Sequence, residues 1–473
     1  MITLITTEIK EALIHLVGTE NYDDSKVSKL VYSYDATPQY QSMPAAVVAP
    51  RNKEEVAEIV KLCNTHYIPI IPRGSGTNLC AGTCPTEGGI VLLFKHFNSI
   101  LEIDEENLTV TVEPGVITLD MIKAVEAKGL FYPPDPSSMK ISTIGGNINE
   151  NSGGLRGLKY GVTRDYVLAL EVVLPSGEII HTGGKLAKDV AGYDLTRLFV
   201  GAEGTLGIVT QATLKLVPMP AFKMTMLALY HDLESAANSV SKIIANKIIP
   251  TTLEFLDQAT LKVVEEYAQI GLPTDVSAVL LIEQDGPMEV VQEDMKKLAS
   301  ICQQEQAVSV NVAESEEEAD SLRTARRSAL SAMARLKPTT ILEDATVPRS
   351  EIAKMVVSIN EIADKYEVNI CTFGHAGDGN LHPTCLTDAR DEEEIKRVEK
   401  AFEDIFIRAV ELGGTITGEH GVGMMKAPYL HLKLGDAGIN AMQAIKQSLD
   451  PNNIMNPAKI FAKDTRKRVV VTK

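Results

Sequence analysis

No two of the six cysteines (63, 80, 84, 302, 371 and 385) are spaced as CxxC, which excludes the usual iron–sulfur and zinc-ribbon frameworks. No apolar run approaches the length that spans a bilayer. The N-terminus, MITLITTEIKEAL, carries acidic residues where an export signal has a basic region and an apolar core. These absences predict reduced, buried thiols in a cytoplasmic chain without disulfides. If the chain moves electrons, any cluster that accepts them must lie on another protein. A basic excess is missing too. With 46 Lys+Arg against 63 Asp+Glu the net charge is −17, which argues against nucleic acid as a partner. The dinucleotide fingerprint GxGxxG is incomplete, because Leu79 stands where Arg73-Gly-Ser-Gly-Thr-Asn78 would need its third glycine, so a Rossmann unit is not predicted.

What is present is a globular chain of 473 residues, 44% hydrophobic and 23% charged, long enough for two or three domains. A strand Ala45–Pro50, a helix capped by Asn52 and a strand Ile68–Pro72 lead into the glycine turn at 73–78. Consecutive N–H groups in such a turn can cradle a pyrophosphate. Pro133-Pro-Asp-Pro-Ser-Ser138 reads as a rigid turn. Thr143-Ile-Gly-Gly-Asn-Ile-Asn-Glu-Asn-Ser-Gly-Gly154 reads as a long loop, since glycine is costly inside helices and strands. Leu168–Leu174 and Glu178–Thr182 form a hairpin around Pro175-Ser-Gly177, and Gly201–Val209 opens a strand ending near Val217. Pro218 and Pro220 mark a boundary. Beyond them strands and helices alternate from Met224 to Val312, which predicts a split βαβ sheet with helices on one face. The expected division is 1–219 (with a subdivision near 100), 220–424, and a C-terminal segment 425–473 with a basic tail from Thr465 to Lys473.

The most informative stretch is His375-Ala-Gly-Asp-Gly-Asn-Leu-His382. Val368–Phe373 and Leu381–Leu386 read as strands, and Asp378-Gly379 favours a two-residue type I′ turn. That turn would pair Gly377 with Asn380, Ala376 with Leu381 and His375 with His382. Opposed residues hold their Cβ atoms roughly 5 Å apart on one face, and two imidazoles there can share a cation, commonly zinc. The plainer reading is two ordinary half-buried histidines out of nine. Downstream, residues 393–412 form an amphipathic helix with Ile395, Val398, Phe402, Ile405 and Ala409 on one stripe. Thr415–Gly423 reads as a strand bearing Glu419 and His420 between glycines.

RGSGTN, PPDPSS, TIGGNINENSGG, GAEGTLGIVT, HAGDGNLH, GEHGVG and DPNNIMNPAK follow one another in this order. The series resembles the flavin-dependent 2-hydroxy acid dehydrogenases, which include D-lactate dehydrogenases, the flavin-binding subunits of glycolate oxidases and D-2-hydroxyglutarate dehydrogenase. The similarity runs from about residue 40 to 462. It implies an α+β fold: a two-subdomain FAD-binding domain of the vanillyl-alcohol-oxidase type and an antiparallel-sheet α+β substrate (cap) domain. A C-terminal segment would return to the FAD domain.

The resemblance also implies the cofactor contacts. Pro72, Arg73, Gly74, Ser75, Gly76, Thr77 and Asn78 would wrap the pyrophosphate. Pro134, Asp135, Ser137 and Ser138 would line the ribityl and isoalloxazine region with Ile144, Gly145, Gly146, Asn149, Ser152, Gly153 and Gly154. Tyr160, Gly161, Glu203 and Gly207 belong to the same contact set. Gly204, Ile208 and Val209 would meet the adenine half, and Asn456 and Lys459 would return from the C-terminus. Some relatives tether the flavin through a histidine just after the arginine–glycine turn. Thr77 occupies that neighbourhood, so FAD is expected without a covalent link.

Roles follow from the chemistry. A divalent cation (Zn2+, or Fe2+ or Mn2+) on His375, His382 and Glu419 would polarise the substrate hydroxyl. His420 is the natural base, and which of Glu419 and His420 binds metal stays open, since strand neighbours point to opposite faces. Arg326 suits a substrate carboxylate. The apolar Leu330 region favours a small D-2-hydroxy acid, D-lactate first, with glycolate or D-2-hydroxyglutarate as alternatives. The expected acceptor is an electron-transfer flavoprotein, then an iron–sulfur subunit or quinone. A flavin-free metallohydrolase on the same ligands is the competing reading, and the glycine-rich stretches count against it.

Overall fold

The computed structural model describes residues 5–461; the basic tail expected at Thr465–Lys473 lies outside the described residues. The chain divides into two compact units. Among the described residues, one comprises 5–152, Val162–Met219 and 419–461; the other comprises Gly153–Gly161 and Pro220–Gly418.

The first unit holds two principal sheets. In the four-stranded one, Ile90–Leu93 lies centrally, parallel to both Ala46–Val48 and Ile70–Arg73. Parallel pairing requires a crossover, and the helix Lys53–His66 supplies it. The Asn52 side chain caps that helix by accepting the Glu55 N–H at 2.9 Å. Its buried stripe, Val56, Ile59, Val60 and Cys63, packs with Ile9, Leu13 and Val17 of the helix Thr7–Val17. The C-terminal segment enters the same core through Ile454 and Met455. Ile70 donates to the Ile454 carbonyl at 2.7 Å, and Asn456 donates back to Ile70 at 2.8 Å. The second sheet is antiparallel, in the order Ile100–Asp104, Thr109–Val112, Ile208–Lys215, Val167–Val173, Ile179–Gly183. Its last two strands are the hairpin expected around Pro175–Gly177.

The second unit is built on one antiparallel sheet. Its order is Ser309–Val312, Phe222–Tyr230, Ala278–Gly286, Thr252–Asp257, Ile370–His375, Asn380–Thr387, Thr339–Leu342, with Ala345–Thr346 also on Asn380–Thr387. The first four strands have the split βαβ arrangement, Ala278–Gly286 lying between Phe222–Tyr230 and Thr252–Asp257. The expectation of helices on one face is corrected: both faces are covered. Leu227, Leu229, Leu256, Val279 and Leu281 pack under Leu261 and Val264 of the helix Gln258–Ala268 and under Ala329 and Met333. Alternate residues point the other way, where the Tyr230 hydroxyl donates to Ser239 of the helix Leu233–Ala245 at 2.8 Å.

Three further expectations are overturned. Ile144–Glu150 is a helix, not a loop: Thr143 caps it by accepting the Gly146 N–H at 3.2 Å. Its glycines serve close approach, since a Cβ on Gly145 would fall 2.5 Å from the Pro114 Cβ. Thr415–Gly423 forms no strand, only one bridge from Thr415 to Thr346. Carboxylates satisfy its N–H groups instead. Asp344 accepts from Gly418 at 2.8 Å and from the Thr417 hydroxyl at 2.9 Å. Glu203 accepts from Val422 at 2.6 Å and Gly423 at 2.7 Å. The turn between His375 and His382 also departs from type I′.

Among the described residues no helix is long and apolar enough to cross a membrane, and all six cysteines are buried and unbridged.

Candidate active site: a cofactor cleft and a histidine pair

In the first unit an open cleft is walled by the end of the strand Ile70–Arg73, the helix Ile144–Glu150 and the segment Glu203–Val209. From the residues expected to hold the cofactor it gathers Pro72, Arg73, Gly74, Gly145, Gly146, Asn149, Glu203, Gly204, Gly207, Ile208, Val209 and Asn456. Thr143 and Glu150, from the same glycine-rich stretch, also line it, as do Gly82, Thr83, Phe94 and Pro114, to which nothing in the sequence pattern pointed. Motif reading selects the glycine stretches themselves and misses single residues that only the chain's return brings alongside.

Side-chain amides shape this wall. Asn149 donates to the Gly145 carbonyl at 2.7 Å and accepts the Gly204 N–H at 3.0 Å. Asn456 donates to the carbonyls of Gly82 at 2.9 Å and Glu203 at 2.7 Å. Gly204 adopts φ +68°, and a Cβ there would meet the Pro72 ring at 2.6 Å, so glycine is required. Within this wall the Arg73 Nε, the Glu150 Oε2 and the Asn456 Oδ1 are buried without a hydrogen-bond partner. Buried polar atoms are ordinarily satisfied, and a polar cofactor laid in the cleft would satisfy these. The residues therefore fit a flavin dinucleotide.

Burial pushes the carboxyls of Glu203 and Glu150 up, and for Glu150 the neighbouring Glu203 charge adds to the effect.

The remaining cofactor candidates do not line the cleft. Ser75, Gly76, Thr77 and Asn78 follow Arg73 in a turn tied to the 34–37 segment. The Gly76 carbonyl accepts from Ala36 at 3.1 Å, and the Asn78 Oδ1 closes the turn on the N–H groups of Cys80 and Gly82. Pro134 and Asp135 are buried in a loop with Ser137 and Ser138; Ile144 is core. The Ser152 carbonyl accepts from Thr163. Gly153, Gly154, Tyr160 and Gly161 belong to the second unit, where the Tyr160 hydroxyl donates to Asp285 at 2.9 Å.

Lys459 is buried beside the Cys84 carbonyl, to which it donates at 2.8 Å. Burial pushes its ammonium down from 10.5 to about 8. Between pH 8 and 10.5 the unfolded chain binds the proton that the native chain has released, so stability rises with pH across that window. The full gain is about 3 kcal/mol. Urea unfolding at pH 7.5 and 10 should show this rise in the native protein relative to Lys459→Met. Equal slopes in the two would show that Lys459 is not the group responsible.

In the second unit, His375 and His382 face each other with ring centroids 5.1 Å apart, and a ring nitrogen of each lies within 4.8 Å of one on the other. The turn differs from the expected type I′. Ala376–Asp378 is a 3-10 turn, and of the two central residues only Gly379 has positive φ, at 80°; type I′ needs it at both. The loop is therefore two residues longer. His375 pairs with Asn380, and His382 lies opposite Phe373. Because the shift is even, both histidines stay on one face, as diagonal neighbours rather than directly opposed.

Around them, Glu254 accepts from the His375 Nδ1 at 2.7 Å and pairs with the Arg326 Nη2 at 2.6 Å. Burial raises the Glu254 carboxyl, but Arg326 and His375 outweigh it and hold it below the ordinary carboxylate range. The Arg326 guanidinium lies 4.6 Å from the Phe373 ring centre. Motif reading missed Glu254. A signal existed: it is a charge in the middle of the strand Thr252–Asp257, flanked by the apolar Leu253 and Phe255. On the segment that returns to the first unit, the Glu419 Oε1 and His420 Nε2 stand 3.9 Å apart. With no strand there, the objection that neighbours must point to opposite faces no longer applies.

A cleft whose residues fit a flavin dinucleotide in one unit, with a buried histidine pair on the sheet of the other, suits a flavin-linked oxidoreductase. Comparison with known proteins agrees: residues 44–183 match the FAD binding domain and residues 219–460 match the FAD linked oxidases, C-terminal domain. The chain is 72% identical over 467 residues, 99% of both chains, to the glycolate oxidase subunit GlcD of Bacillus subtilis. It is 37% identical to GlcD of Escherichia coli K12, covering 94% of this chain and 89% of that one. With a D-lactate dehydrogenase of Anaerostipes hadrus it shares 36% identity over 95% and 94%. Among solved structures, p-cresol methylhydroxylase superposes with TM-score 0.80 at 19% identity, covering 96% of each chain. The chain belongs to the FAD-linked oxidase family, with the vanillyl-alcohol-oxidase type of fold.

Proposed function

We propose that this chain oxidises a small 2-hydroxy acid to the 2-oxo acid, glycolate in the first place and D-lactate in the second. The buried pair His375 and His382, backed by Glu254 and Arg326, is the observation that carries the reading. The 72% identity to a protein named glycolate oxidase subunit GlcD puts glycolate ahead of D-lactate, reversing the order favoured by the sequence.

His375, His382 and Glu419 would hold a divalent cation. Their nitrogen and carboxylate donors suit Zn2+, Fe2+ or Mn2+, and such a cation supplies Lewis-acid polarisation of the hydroxyl. The FAD, held without a covalent link, supplies the hydride acceptor. Arg326 binds the substrate carboxylate through the guanidinium edge that Glu254 leaves open, since its Nε has no partner. His420 takes the hydroxyl proton on its ring nitrogen. Electrons leave to a separate protein, an electron-transfer flavoprotein before an iron–sulfur subunit, because the buried cysteines of this chain lack cluster spacing.

Anaerobic mixing of the purified yellow protein with glycolate, D-lactate, L-lactate and D-2-hydroxyglutarate tests this. Glycolate or D-lactate should bleach the flavin band, glycolate at the lower concentration. Bleaching by none of the four would sink the reading.

A further inference from the structure

Glu254 touches two functional side chains at once. It sits inside the strand Thr252–Asp257 and is fully buried. The pairing of Phe255 with Gly374 sets it beside His375 on the next strand. One carboxylate oxygen meets the His375 Nδ1 at 2.7 Å, and the other meets the Arg326 Nη2 at 2.6 Å. A buried carboxylate between two apolar neighbours is a poor device for stability, because a leucine there would pack without desolvating a charge. Its geometry suits another purpose.

We infer that Glu254 is a positioning residue that orients the imidazole of His375 toward a cation and the guanidinium of Arg326 toward an anionic substrate group. An ionised carboxylate only accepts hydrogen bonds, so the His375 Nδ1 must carry the ring proton. That leaves the Nε2 lone pair as the donor to a metal. Carboxylates placed behind metal-binding histidines in this way fix the tautomer and raise the ligand's basicity. On the other side Glu254 takes one amino group of the guanidinium, while the buried Nε stays unpartnered. One carboxylate thereby holds in register the groups for the two ends of a 2-hydroxy acid, hydroxyl and carboxylate. The inference rests on the reading above that His375 and His382 bind a cation.

Zn2+ titration of the metal-stripped flavoprotein by calorimetry separates the two. Glu254→Gln should bind Zn2+ about 10- to 100-fold more weakly than the native protein. That variant leaves Arg326 buried without its counter-charge, so Glu254→Gln/Arg326→Met, which removes both charges, is measured beside it and should show the same loss. His382→Ala serves as the control. If it binds Zn2+ like the native protein, the metal reading itself fails. If it loses Zn2+ while the double variant binds as tightly as the native protein, the positioning role fails and the metal site stands. Nitrogen-15 NMR of histidine-labelled native protein, with His375→Ala for assignment, reads the tautomer without altering Glu254. An Nδ1–H signal for His375 is expected, and an Nε2–H tautomer would overturn the inference.

Discussion

His382→Ala is expected to abolish metal binding and turnover while the protein stays yellow. The imidazole is buried on the strand Asn380–Thr387, whose backbone ladder does not depend on it. Truncation therefore removes a donor and leaves the fold. Loss of a Lewis acid worth several kcal/mol in the transition state lowers turnover on the order of 10^3-fold or more. Flavin content should not change, because Arg73, Gly145, Gly204 and Asn456 line a cleft of the first unit and His382 belongs to the second. Elemental analysis for the metal, flavin absorbance and steady-state turnover read the three outcomes separately. A variant that keeps its metal and its turnover would remove the histidine pair from the mechanism.

The second large effect falls on the C-terminal return. Asp450→Ala should lower stability by about 3–5 kcal/mol, the usual cost of stranding one half of a buried ion pair. Asp450 is fully buried and pairs with Lys446. It also accepts the N–H groups of Ile454 at 3.0 Å and Met455 at 2.8 Å. Lys446 in turn reaches the carbonyls of Thr205 at 2.7 Å and Met455 at 2.8 Å. These bonds set the path by which Ile454 and Asn456 reach Ile70 and Asn456 reaches the cleft. Urea unfolding should show the loss, and dialysis should strip FAD from the variant faster than from the native protein. A change below about 1 kcal/mol would mean that the return is held by apolar packing alone.

The alternation of strands and helices was legible in the residues because it rests on local patterns, whereas the flavin followed only from the resemblance of seven ordered motifs to a known family. The capped helix after Asn52, the hairpin at Pro175–Gly177 and the alternation from Met224 to Val312 are all set by neighbours in sequence. The stretch His375–His382 could likewise be picked out as a turn between two strands, although its register could not. Elsewhere the local signal misled. Glycines at 145 and 146 suggested a loop, yet a threonine cap and the need to approach Pro114 made a helix. The stretch Thr415–Gly423 suggested a strand, yet two distant carboxylates, Asp344 and Glu203, took its N–H groups.

That two histidines flank one turn followed from the residues, but they share a face only because the observed loop is longer than the expected one by an even number of residues. What stands behind them was settled by the folded chain. Glu254 and Arg326 lie some 50 to 120 positions away along the chain. Only the pairing of Thr252–Asp257 with Ile370–His375 brings that carboxylate to the imidazole. A hydrogen bond between residues so remote leaves no periodic trace in the chain. It is fixed by which strand is next to which in the sheet.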